Sequence, residues 1–121
     1  MSRDTGPDRA TVTLVVNRYA GCCLRCGKPG SQCHHRKPRG AGGTRDPKIN
    51  APENLIWLCL SCHEHIERHR KDAYRDGWLV ARNADPAEQY LITPDHRMIM
   101  LLPDGGMEVN ELPDNYEEVP F

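Results

Sequence analysis

Two Cys-x-x-Cys pairs, Cys23–Cys26 and Cys59–Cys62, constrain this chain more than any other feature. Each pair sets two thiolates on one tight turn, and two such turns complete a tetrahedral site for zinc. The 32 residues between them, Gly27 to Leu58, exceed the commonest zinc-finger gap, so a substantial element lies between the knuckles. Cysteines can also pair as disulfides. However, Met1 to Ala10 is polar and lacks the apolar core of a secretory leader. The expectation is therefore a cytoplasmic chain in which thiols bind metal. Cys22-x3-Cys26 is a second register, and Cys23 is preferred because it matches the other knuckle. Cys33 has no partner spacing and reads as a reduced bystander. A redox role for Cys23 and Cys26 would need a thioredoxin-like context that is missing here.

At 121 residues the chain has the length of one domain. Its hydrophobic fraction is 38% with a single Phe, a lean core that gains from a metal staple. Zinc contributes about 10–16 kcal/mol of folding energy in small modules. No apolar run is long enough to span a bilayer. The net charge of −1 hides an asymmetry. Met1 to Arg75 holds 14 Lys and Arg against 7 Asp and Glu, whereas Asp76 to Phe121 holds 2 against 10. A basic front half suits a nucleic-acid surface on one side, although solvated faces also cluster charge.

Residues 1–8 read as disordered, and Asp8 can cap a helix over Arg9 to Tyr19, although the β-branched run there also allows a strand. Ser31 to Arg36 reads as a short strand or loop. Lys37 to Pro52, rich in Gly and Pro, reads as a long loop, and such loops tend to be functional. Asn54 to Leu60 reads as a buried strand or the approach to one, and one helix is expected from Ser61, its cap, to Gly77. Trp78 to Arg82, Gln89 to Thr93, Arg97 to Leu102 and Met107 to Val109 read as short strands between turn residues. This divides the chain into a core over 9–77, a small antiparallel β extension over 78–110 and an acidic tail over 111–121. Trp57 and Trp78 read as core residues.

The histidines carry the chemistry. His34 and His35 are adjacent, so on an extended segment they face opposite sides, one toward a metal and the other toward a substrate. His63 directly follows Cys62, so the second knuckle fixes where it points. A zinc centre would then bring the His34–His35 strand to the His63 helix, as a one-metal hydrolytic site requires. His65 and His69 sit four residues apart and read as a solvated helix face rather than a second metal pair. Arg36, Lys37, Arg39, Arg45 and Lys48 cluster around the loop after the histidine pair and are the expected DNA contacts.

The run Cys23-Leu-Arg-Cys26-Gly, His34-His35-Arg-Lys-Pro38, Gly42-Gly43, Glu53-Asn54-Leu55 and Leu58-Cys59-Leu-Ser-Cys62-His63 resembles the HNH endonuclease family. It is most similar to the small zinc-containing members of phages and prophages. The resemblance implies an α+β fold: a ββα-metal core tied by a four-cysteine zinc centre, with an N-terminal helix and the C-terminal β extension. It also implies a metal-dependent DNA endonuclease, nicking or double-strand cutting, that leaves 5′-phosphate and 3′-hydroxyl ends.

By the same resemblance His35 is the general base, and Asn54 holds the loop and strand that carry it. His34 and His63 bind a catalytic divalent ion, Mg2+ or Mn2+ ahead of Ni2+ or Zn2+. Glu67, one turn beyond His63, is a candidate third ligand where relatives place His or Asn. Phage terminase or portal proteins are the implied partners, in DNA packaging. The rival is a non-catalytic zinc-ribbon DNA-binding or terminase accessory module, which has no need of His35 or Asn54.

Overall fold

The computed structural model describes residues 6–38 and 46–113. Of the expected disordered start (1–8), long loop (37–52) and acidic tail (111–121), residues 1–5, 39–45 and 114–121 lie outside the described residues.

Asp8 does cap the first helix: its side chain accepts the Thr11 N–H at 2.8 Å, satisfying one of the free donors of the first turn. That helix, α1, spans Arg9–Asn17 and buries Val15. It ends two residues earlier than expected, where Ala20 and Gly21 take positive φ. Arg18 then turns inward and donates to the carbonyls of Leu55 (2.7 Å), Pro52 (2.6 Å) and Gly105 (3.0 Å), tying α1 to both halves of the chain.

The segment between the knuckles is an antiparallel hairpin. Strand β1, Gln32–His35, pairs with β2, Leu55–Leu58, with His34 opposite Ile56 and His35 opposite Leu55. A 3-10 turn over Pro52–Asn54 leads into β2.

The expected single helix is two. Helix α2 runs Leu60–Arg68 and α3 runs Arg70–Arg75, broken at His69, whose φ of −123° and ψ of 51° are not helical. The His69 ring donates from Nδ1 to the His65 carbonyl, so the side chain takes an acceptor at the end of α2. The cap of α2 is also not Ser61. Cys59 holds that position, and its sulfur accepts the Cys62 N–H.

After α3 the chain reverses at Gly77, with φ +82°; a Cβ there would lie 1.9 Å from the Tyr90 carbonyl, so only glycine fits. Trp78 to Arg82 is not a strand. The N–H groups of Trp78 and Leu79 both donate to the Ala73 carbonyl, which folds the run back on α3 instead of offering it to a ladder. The later strands form as a three-stranded antiparallel sheet: β3 (Leu91–Ile92), β4 (Arg97–Leu101) and β5 (Met107–Glu111), in that order.

The core does not stop at Gly77. Cys23, Ile56, Leu58, Cys62 and Ile66 pack in one buried cluster with Trp78, Leu79, Leu91, Ile99 and Leu101. The extension therefore covers the hairpin and α2 and shares their burial. Among the described residues, no helix is long and apolar enough to cross a membrane.

Candidate active site

The four knuckle sulfurs of Cys23, Cys26, Cys59 and Cys62 lie within 4.8 Å of one another, and Cys22 and Cys33 are not among them. This resolves the register in favour of Cys23. The Cys26 and Cys59 sulfurs are 3.7 Å apart. A Zn–S bond of about 2.3 Å places tetrahedral sulfurs roughly 3.8 Å apart, so the spacing suits zinc.

Thiols this close cannot all ionise unaided. Burial pushes Cys62 up to about 12, against the pull of the Arg25 guanidinium, whose Nη1 donates to its sulfur at 3.4 Å. Burial also raises Cys59, but the Cys62 N–H and neighbouring thiols outweigh it and bring Cys59 down to about 7. A divalent cation shared by all four would resolve the competition, and the cluster could hold zinc.

A second cluster joins β1 to α2. The ligand atoms of His34, His63 and Glu67 lie within 4.8 Å of one another, and the rings of His34 and His63 meet edge to face at 5.3 Å. His34 is 3% exposed, and its Nε2 lies 2.9 Å from the Trp78 carbonyl. A carbonyl only accepts, so Nε2 carries the proton and Nδ1 keeps its lone pair. Burial holds the His34 pKa down at about 4, with the Trp78 carbonyl opposing, so the ring is neutral at physiological pH. Two imidazoles and a carboxylate suit a divalent ion, with waters completing the shell. Glu67 also pairs with Arg70, which takes Oε2 at 2.7 Å, leaving the other carboxylate oxygen for an ion.

His35 points away from this cluster, as alternation on a strand requires. It is half-buried, and its Nε2 lies 2.8 Å from Asn50 Oδ1, a partner that sequence reading missed. Asn54 is fully buried. Its Oδ1 accepts the Lys37 N–H and its Nδ2 donates to the Ile49 carbonyl, both at 2.7 Å. One amide thus fixes the chain on either side of the β1–β2 loop.

The expected DNA contacts divide. Arg36 is a correction: it is fully buried, and its guanidinium donates to the carbonyls of Gly77, Glu53, Pro86 and Gln89 at 2.8–3.0 Å. With every nitrogen engaged inside the protein, it is not available to a phosphate. Lys48 is exposed, and Lys37 is part-buried and pairs with Asp46 at 3.1 Å. Arg39 and Arg45 lie outside the described residues. His65 and His69 stack on each other at 4.1 Å and join neither ligand cluster.

The family model of HNH endonucleases matches residues 23–69. The match takes in both knuckles, the hairpin and α2, and leaves α1 and everything from Arg70 onward outside it. Neither the curated proteins nor the solved structures contain a match to the chain.

Proposed function

We propose that this protein hydrolyses DNA phosphodiester bonds with one divalent ion held by His34, His63 and Glu67 and with His35 as general base. The single observation that carries the reading is the His34–His63–Glu67 cluster standing directly on the second cysteine knuckle. Zinc at Cys23, Cys26, Cys59 and Cys62 holds that knuckle, and Cys62 is the residue before His63, so a structural ion aims a catalytic ligand.

When bound, a divalent ion such as Mg2+ or Mn2+ acts as a Lewis acid for the phosphate and for the 3′-oxygen that leaves. The protein does the rest. The His35 imidazole accepts a proton from water as the water oxygen forms its bond to phosphorus. The bond to the 3′-oxygen breaks and that oxygen takes a proton from solvent, giving a 5′-phosphate and a 3′-hydroxyl. Asn54 holds the two chain segments that carry His35 and Asn50. Lys48, exposed beside the loop, is offered to backbone phosphates, and Lys37 joins it only by leaving Asp46. A role in phage DNA packaging, beside terminase or portal proteins in the cytoplasm of a bacterial host, rests on resemblance alone.

The test is cleavage of supercoiled plasmid across Mg2+, Mn2+, Ni2+ and Zn2+, with wild type and His35→Ala side by side. Wild type is expected to nick or linearise the plasmid, and His35→Ala to fall to background with zinc content unchanged. Equal cutting by the two proteins, or none by wild type with any ion, overturns the reading.

A further inference from the structure

We infer that Asn50 is the positioning residue for His35, setting which ring nitrogen is free to take the proton. The inference rests on His35 being the general base. The Asn50 amide oxygen lies 2.8 Å from His35 Nε2 and can only accept, so the ring proton sits on Nε2. Nδ1 then keeps its lone pair and is the atom that can accept a proton from water. The bond also stops the ring from rotating on a strand end that is only half-buried.

Asn50 is itself held. Ile49 directly precedes it, and the Ile49 carbonyl accepts from Asn54 Nδ2 at 2.7 Å. The Ala51 N–H donates to the Lys48 carbonyl at 3.0 Å, closing the turn in which Asn50 sits. On the other side, Asn54 Oδ1 accepts the N–H of Lys37, two residues beyond His35. The buried Asn54 amide therefore fixes the backbone beside both partners of the His35–Asn50 pair. The sequence gives no signal for this, because an Asn in a Pro-rich loop looks like any turn residue.

The experiment compares Asn50→Leu and Asn50→Asp with wild type in plasmid cleavage at saturating Mn2+. Losing a partner that orients an imidazole costs about 10- to 100-fold. The Leu variant is expected to lose that much kcat with KM for DNA nearly unchanged. The Asp variant, which keeps an acceptor in place, should recover most of the rate. Nitrogen-15 NMR of the zinc-loaded protein, a readout besides activity, should show His35 protonated at Nε2 in wild type and a tautomer mixture in the Leu variant.

Failure of Asp to restore the rate, a Leu variant that cuts like wild type, or an unchanged His35 tautomer each overturns the inference while leaving His35 as base. A wild type that cuts nothing overturns the base assignment and this inference together.

Discussion

His34 donates its Nε2 proton to the backbone carbonyl of Trp78, 44 residues further along the chain. A proposed metal ligand on β1 is thus oriented by the segment just past Gly77, which the matched family segment does not include. That segment also brings Trp78, Leu79, Leu91, Ile99 and Leu101 to the shared core.

A chain ending at Gly77 is therefore expected not to fold. Removing one fully buried Trp typically costs about 3–5 kcal/mol, already a large part of a small domain's stability. Circular dichroism should show no cooperative thermal transition for the truncated chain, even with excess zinc. A sharp transition would mean that the extension is an appendage and that His34 needs no help from it.

Arg36 and Lys48 should behave as opposites. Arg36→Met takes the side-chain donor from the carbonyls of Gly77, Glu53 and Gln89, whereas that of Pro86 keeps the Gln89 N–H; each unsatisfied group costs about 1–3 kcal/mol, so urea unfolding should show a loss of about 3 kcal/mol or more. Lys48→Ala should leave the unfolding curve in place. It should weaken DNA binding equally for all sequences and lower the salt slope by about 1. Weak DNA binding by a stably folded Arg36→Met protein would restore Arg36 to the DNA surface.

These two residues mark where sequence reading stops. Arg36, Lys37 and Lys48 look alike in a loop rich in charge, and only the fold reveals that one points into the core. Tertiary burial, not local composition, makes that choice. The same holds for Arg18, whose three carbonyl partners come from distant segments.

Features set by short-range geometry were legible: the Cys23 register, the opposite faces of His34 and His35, and the Asp8 cap. The helix break at His69 and the fold-back at Trp78 were not, because each depends on a carbonyl finding one donor rather than another. The run at Trp78 is apolar enough for a strand, but its N–H groups go to the Ala73 and Arg36 carbonyls and form no ladder.

Acid should destabilise the protein through His34. Its folded pKa of about 4 lies below the usual 6.5, so between those values the unfolded chain binds a proton that the fold excludes. The stability from this group is complete above about pH 6.5 and is lost as pH falls toward about 4. The shift corresponds to roughly 3 kcal/mol in full, of which about 1 kcal/mol is expected by about pH 5.5. Urea unfolding without added catalytic ion should show this slope, and His34→Asn should lack that share of it. Identical slopes for the two proteins would mean that His34 titrates normally and is not held as the structure has it.

The account depends most directly on a second ion at His34, His63 and Glu67, separate from the zinc. Titration of zinc-loaded protein with Mn2+, followed by electron paramagnetic resonance, should give one Mn2+ site in wild type. A His63→Ala, Glu67→Ala double variant should retain its zinc, lose the Mn2+ signal of that site and cut plasmid at background rate. A double variant that still binds one Mn2+ with wild-type affinity, or still cuts at the wild-type rate, would contradict the account.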